Sequence, residues 1–307
     1  MIATRESYGN ALVTLGKKYK NIVVLDADLA NATQTKLFKE KYPRRFFDIG
    51  IAEQDMMGTA AGLSLTGKVP FASTFAIFAA GRAYEQIRNS IAYSHLNVKI
   101  AATHAGITVG EDGASHQSFE DLALMRVIPG MTILSPCDDK ETIWAIEEAC
   151  KINGPVYIRL TRPKVEDVYE KKSKFELGKA IVHGKGRDAK IIATGIMVQE
   201  ALKAQKVLKE EKIDVRVIDL HTIKPLDKDV ILKAAKETKL IVTAEDHSII
   251  GGVGSSVCEV LAENACSVKV IRVGINDEFG QSGKWNELMK HYGLTAEGIV
   301  NKIKNNI

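Results

Sequence analysis

The chain has 307 residues, 45% apolar and 26% charged, enough for two ordinary domains with cores of their own and far from disordered or bilayer-spanning compositions. Its 42 basic and 38 acidic residues leave a net charge of +4, interspersed along the chain, so no stripe or tail points to nucleic acid. Cys137, Cys150, Cys258 and Cys266 show no C-x-x-C spacing, which argues against a zinc site, a redox motif or a secreted disulfide framework.

In chain order, the N-terminal run MIATRESYGNALVTLGKKYK scatters its charges and has no continuous apolar core, so no signal peptide is expected and a cytoplasmic location is. No segment is apolar enough to span a bilayer. Short apolar runs then alternate with amphipathic stretches, the pattern of a parallel sheet covered by helices on both faces. Strands are predicted at Ile22–Leu25, Val69–Ala72, Val98–Ala102, Met131–Leu134 and Val156–Leu160, with helices between them. The stretch Glu53–Leu65 carries Gly58, Ala60, Ala61 and Gly62, small residues that weaken a helix and permit close approach of a neighbouring helix or subunit.

Between Pro163 and Lys174 the apolar periodicity gives way to charge, as in a surface linker. The expected division is a first domain over 1–165, a linker over 166–177 and a second domain over 178–307. The second unit repeats the α/β pattern, with strands at Lys190–Thr194, Val215–Asp219 and Leu240–Ala244 and helices near Val198–Glu211 and Asp227–Glu237. The expected fold class is therefore α/β, two domains, each a mostly parallel sheet with helices on both faces.

Three polar or glycine-rich runs in the first domain sit just beyond predicted strands, where α/β folds place ligands. In FFDIGIAEQD, Glu53 begins a helix, either as an acid favoured by the helix dipole or as a functional carboxylate seeking a hydrogen-bond donor. In PFASTFAIFAAGRAYEQIR, Phe75 and Phe78 share one helical face, a spacing that by itself reads as core. In THAGITVGEDGASHQSFED, His104, Glu111, Asp112 and His116 stand among small residues unsuited to helix or strand. Two histidines with an aspartate suit proton shuttling and recognition of hydroxyl groups, while the usual short metal-ligand spacing is absent.

With ATRESYGNAL, DADLA, DIGIAEQD, STFAIF, THAGITVGEDGASHQ, RVIPGM and YIRLTRP in the first domain, the chain resembles the transketolases, in the region that binds the aminopyrimidine ring of thiamine diphosphate. VRVIDLHTIKPLD and AEDHSIIGGVGSSV extend the likeness through the second domain. The resemblance implies that Glu53 stands against ring nitrogen N1′, where its hydrogen bond favours the tautomer that activates the cofactor. It further implies that Phe75 and Phe78 flank the ring and that Asp28 lies near the cofactor. His104, Asp112 and His116 would face the sugar, and Arg5 and Arg162 would hold its phosphate through paired charge-assisted hydrogen bonds.

Two positions depart from that pattern: a substrate-contacting serine falls at Ala32, and a further aromatic position falls at Gly81. The G-D-G motif with a downstream asparagine, which holds the diphosphate and its divalent ion in the family, is missing. No metal ligand is therefore expected on this chain. The resemblance implies a partner chain corresponding to the N-terminal section, carrying Mg2+ or a similar ion, in an assembly of two copies of each chain acting on sugar phosphates.

The expected activity is transfer of a two-carbon ketol unit from a ketose phosphate to an aldose phosphate. Deoxyxylulose-phosphate synthase shares IAEQ, STF and D-G-x-x-H-Q but has arginine before the alanine-glycine pair, where this chain has His104. The beta subunit of the 2-oxo-acid dehydrogenases shares the G-I-A-E-Q-like run but is further from GEDGASHQ. A non-catalytic regulatory subunit is the alternative from another class. Retention of Glu53, His104, Asp112 and His116 together speaks against it.

Overall fold

The computed structural model describes residues 1–307. The apolar runs of the first half form β1 (Ile2–Ala3), β2 (Ile22–Asp26), β3 (Phe46–Asp48), β4 (Val69–Phe75), β5 (Lys99–Thr103), β6 (Thr132–Leu134), β7 (Val156–Arg159) and β8 (Lys164–Val165). Every residue of β2, β4, β5 and β7 is buried. A strand covered on both faces is continuously buried, which explains why these strands are mostly apolar and why the basic residues they do carry, Lys99 and Arg159, are paired with buried acceptors. The second half adds β9 (Ile181–His183), β10 (Ala189–Ala193), β11 (Val215–Asp219), β12 (Thr222–Lys224), β13 (Leu240–Ser248) and β14 (Lys269–Ile275).

The first sheet has the order β12-β6-β7-β5-β4-β2-β3 and the second β14-β13-β10-β11-β9. Both are parallel except at one edge, where β12 and β9 run antiparallel to β6 and β11. β1 and β8 form a separate two-residue antiparallel pair. Helices lie between the strands, and several begin as their sequences direct. Asp138 caps the helix Asp139–Lys151 by accepting from Glu141 N, Asp227 caps Lys228–Glu237 through Val230 N, and Thr295 caps Ala296–Lys304 through Gly298 N.

The division read from the sequence is crossed in three ways. β12 lies beyond residue 178 yet pairs with β6 of the first sheet. One apolar cluster joins Met56, Ile100 and Ile133 of the first half to Ile218, Ile223 and Val257 of the second. The expected surface linker is also anchored, since the Val168 and Tyr169 amides both donate to the Asp138 carboxylate and the Tyr169 hydroxyl donates to Asp219 at 2.6 Å. Tyr169 is itself buried. A segment can be charged along most of its length and still be held by one aromatic residue that finds a buried acceptor.

Candidate active site

The carboxyl ends of β2, β4 and β5 lie side by side in the first sheet, and the segments that leave them carry most of the residues singled out above. Glu53 is the first residue of the helix Glu53–Leu65, and its side chain is 1% exposed. Such burial requires a partner, which Arg82 supplies through a 2.7 Å salt bridge between its guanidinium and Glu53 Oε2. Arg82 also lies over the Phe78 ring, 4.6 Å from its centroid. The sequence reading missed Arg82. Its separation of four from Phe78 was the available signal, although Phe78–Arg82 forms a π-helical turn, a departure frequent at functional sites.

Phe75 ends β4 and Phe78 opens the π turn, so they do not occupy one regular helical face. Their rings are nevertheless parallel within 11° at 5.8 Å. Phe75 stacks on His104 at 3.9 Å, and His116 meets the Phe78 ring edge-on at 5.4 Å. Glu53, Arg82, Phe78, Phe75, His104 and His116 thus form one continuous group. Its aromatic surface is partly exposed and bordered by a buried carboxylate, a chemistry that fits a flat heterocycle with a ring nitrogen.

His104 follows β5 with φ +56°, a left-handed conformation that costs a residue with a β-carbon roughly 1–2 kcal/mol. Its Nδ1 lies 2.9 Å from Thr103 Oγ1. Burial pushes the imidazole pKa down to about 3, with the charges of Arg5, Arg162 and His116 acting in the same direction. His104 is therefore neutral near pH 7 and can both donate and accept. His116 is half-buried, with Ser115 Oγ 3.0 Å from its Nδ1.

Arg162 donates to Val109 O and pairs with Glu111 at 3.2 Å and Asp112 at 3.8 Å. Arg5 donates to Arg162 O at 3.1 Å and to Ala32 O at 2.7 Å. The Ala32 carbonyl thus helps to orient Arg5. Burial and the neighbouring Arg162 charge both disfavour the charged form of Arg5. Arg162 is already paired with carboxylates while Arg5 forms no ion pair, so Arg5 is the readier of the two to accept an anion. Asp28 stands apart. It occupies a turn at φ +61°, is exposed, and has its amide bonded to Asp48 Oδ1, with no hydrogen bond or ion pair to the group around Glu53.

The acidic and thiol side chains that do come together, Cys137, Glu141 and Asp219, are fully buried where the two sheets meet. They are separate from the Glu53 group. A surface hollow of about 760 Å3 around Arg187, Lys236, Lys239 and Ile307 lies by the amino ends of β10 and β13 and contains none of the residues above. Ligands of open α/β sheets gather at the carboxyl ends, so chemistry favours the Glu53 group over that hollow. No helix is long and apolar enough to cross a membrane.

Comparison with known proteins matches residues 1–167 to the transketolase pyrimidine binding domain and 178–299 to the transketolase C-terminal domain. A putative transketolase C-terminal section from Methanocaldococcus jannaschii is 52% identical over 97% of this chain and 94% of its own length. A 6-deoxy-6-sulfo-D-fructose transketolase subunit from a Clostridium species is 43% identical over 96% of this chain and 92% of its own. The chain spans about half of the rat transketolase, matching 49% of it at 41% identity over 99% of this chain. A solved structure described as a split gene transketolase, inactive beta4 tetramer, superposes with a TM-score of 0.92 at 52% identity, covering 99% of this chain and 98% of that one.

Proposed function

This chain belongs to the transketolase family, and on that premise we propose that it is the catalytic half of a two-chain transketolase that moves a two-carbon ketol unit from a ketose phosphate to an aldose phosphate. The observation that carries the reading is the contiguity of buried Glu53 with the parallel Phe75 and Phe78 rings and with both histidines. Glu53 and the two phenylalanines would hold the aminopyrimidine ring of thiamine diphosphate. When bound, that cofactor supplies the nucleophilic carbon that carries the two-carbon unit between sugars.

Glu53, whose Oε2 is held by Arg82, would offer its other carboxylate oxygen to a hydrogen bond at the ring nitrogen, and its burial would keep that bond from being diluted by water. His104 and His116 hydrogen-bond sugar hydroxyls and exchange protons with them. His104 remains neutral because it is desolvated beside two arginines. Asp112 reads a further hydroxyl. Arg5 and Arg162 orient the sugar through its phosphate. The 6-deoxy-6-sulfo-fructose relative carries an anionic group at the same end of its named substrate, which supports an anion site here but leaves the choice of sugar open. Asp28 would reach the cofactor's surroundings from its exposed turn.

The diphosphate and its divalent ion would be held by a second chain corresponding to the N-terminal half of full-length transketolases, with two copies of each chain. Three features support an interface of this kind. The site is open, Gly58 and Gly62 have no neighbouring atoms within 4 Å of where a β-carbon would stand, and Ile51 at the site's edge is 75% exposed. The described inactivity of the related tetramer built of one chain type is consistent with it.

The test mixes purified chain with its partner, added thiamine diphosphate and magnesium. We expect ketol transfer between xylulose 5-phosphate and ribose 5-phosphate from the complex and negligible turnover from the chain alone. Full activity of the isolated chain would overturn the two-chain reading. Turnover of pyruvate with glyceraldehyde 3-phosphate instead would assign the synthase chemistry.

A further inference from the structure

After the strained His104, three consecutive amides are tied down. Ala105 N donates to Leu160 O at 3.1 Å, Gly106 N to Ser118 O at 3.1 Å, and Ile107 N to Asp246 Oδ1 at 2.8 Å. The first two acceptors belong to the first domain. The third comes from near the carboxyl end of β13, in the second.

Asp246 is 1% exposed, and its other oxygen, Oδ2, has no hydrogen-bond partner. That oxygen faces Gly106, where a β-carbon would come within 2.0 Å of it. Only glycine lets the loop approach so closely. Arg159 donates to the Asp246 carbonyl at 2.7 Å and is itself paired with buried Asp121, so the carboxylate stands on a fixed base. Burial raises the Asp246 pKa, with Arg159 and the Ile107 amide opposing that shift.

The same strand end grips the loop again further on. Ser248 N donates to Phe119 O at 2.8 Å, and Ala123 N donates to His247 Nε2 at 3.4 Å. Between those points, Gln117 Nε2 donates to Gln281 O at 3.0 Å and Ser282 Oγ to Glu111 O at 2.6 Å. The loop carrying His104, Asp112 and His116 is therefore held at its start, middle and end by the second domain.

We propose that Asp246 is a positioning residue for ketol transfer: by accepting the Ile107 amide it fixes where His104 and His116 meet the sugar, so the second domain takes part in the chemistry through the histidine loop. The proposal rests on the transketolase reading above. A carboxylate suits the task because its hydrogen bond to an amide is stronger than that of a neutral acceptor. Displacement of reacting groups by an ångström is costly to rate.

The test compares Asp246→Ala with Asp246→Asn in the reconstituted two-chain complex. In Asp246→Ala we expect kcat per assembled complex to fall about tenfold or more, as misplacement of reacting groups does. Half-saturation by thiamine diphosphate, which depends on Glu53 and the partner, should move less than about twofold. Asp246→Asn keeps an oxygen for the Ile107 amide and should recover kcat to within about threefold of wild type. If Asp246→Ala does not assemble, Asp246→Ser, whose hydroxyl is too short to reach the amide, takes its place under the same criteria.

A second measurement is independent of the reaction. Hydrogen exchange at Ile107 in the isolated chain should be about tenfold faster in Asp246→Ala, with β10 and β11 still protected. Unchanged exchange at Ile107, or unchanged kcat in assembled complex, would overturn the proposal. Absence of ketol transfer in the wild-type complex would instead overturn the reading on which it rests.

Discussion

At the carboxyl end of β4, the partly exposed Phe78 ring, backed by buried Phe75, lies near a buried carboxylate at the start of a helix, Glu53. At the corresponding end of β13, another buried carboxylate, Glu245, turns onto the glycine-rich IIGGVGSS and accepts from Val253 N and Gly254 N at 2.7 Å each. These are the first amides of the helix Val253–Glu263, the groups that would otherwise attract an anion. A β-carbon at Gly252 would come within 2.0 Å of Glu245 Oε2, so glycine here makes room for the chain's own carboxylate. Two sheets with similar architecture thus dispose of a buried acid differently: one pairs it with a half-exposed arginine beside a partly exposed aromatic ring, the other consumes it as an internal cap.

The comparison breaks most sharply at Glu53. Glu53→Ala in the reconstituted complex should lower kcat by about a hundredfold or more, the usual range for loss of a positioned proton-holding group. Survival of turnover to within about tenfold of wild type would remove Glu53 from the mechanism. Glu245→Ala should instead cost roughly 2–3 kcal/mol of stability, since it strands two buried amides, read as a drop in unfolding midpoint of the isolated chain. If Glu245→Ala left stability unchanged, the glycine-rich turn would not be an internally capped packing device.

A third expectation concerns the junction between the sheets, where Glu141 from the helix Asp139–Lys151 meets Asp219 at the end of β11. Burial pushes the Asp219 pKa up to about 7 and raises that of Glu141 as well. Tyr169 and Cys137 both donate to Asp219 Oδ2, leaving Asp219 Oδ1 and Glu141 Oε1 buried without a hydrogen-bond partner, a setting that favours the neutral acid. The folded chain thus retains a proton that the unfolded chain gives up at ordinary carboxylate values. Its contribution to stability is full below about pH 4, is lost as pH rises through the folded value, and is level above it. We expect a decline on the order of 4 kcal/mol across that range in denaturant titrations, and a flatter profile in Glu141→Gln. An unchanged slope in that variant would show that other groups carry the pH dependence.

Much of the fold was legible because its signals are local. The runs that became β2, β4, β5, β7, β10, β11 and β13 are predominantly apolar, as doubly covered strands tend to be, although Lys99, Arg159, Lys190 and Arg216 interrupt four of them. Glu53–Leu65 formed a helix over the range in which its small residues had been noted, and Glu53 begins it. β3, β9, β12 and β14 escaped notice because each is short, lies at an edge, or alternates with polar residues, and an edge strand need not be apolar on both faces. In the candidate site, Phe75, Phe78, His104 and His116 could be singled out from composition and resemblance, but Arg82 could not. Its separation of four from Phe78 places it near that ring, but spacing alone does not announce that a π turn carries it onto Glu53.

By itself, then, the sequence determined the alternation of strands and helices, the family, and the identity of most residues in the group around Glu53. These follow from periodicity and from residue types carried on single segments. Tertiary structure alone decided that β12 crosses into the first sheet, that Glu245 fills its own helix terminus, and that Asp246 reaches the histidine loop across 139 residues of chain. The physical reason is common to all three. A buried polar group must find a partner, and when that partner lies on a distant segment only packing determines which one is within reach.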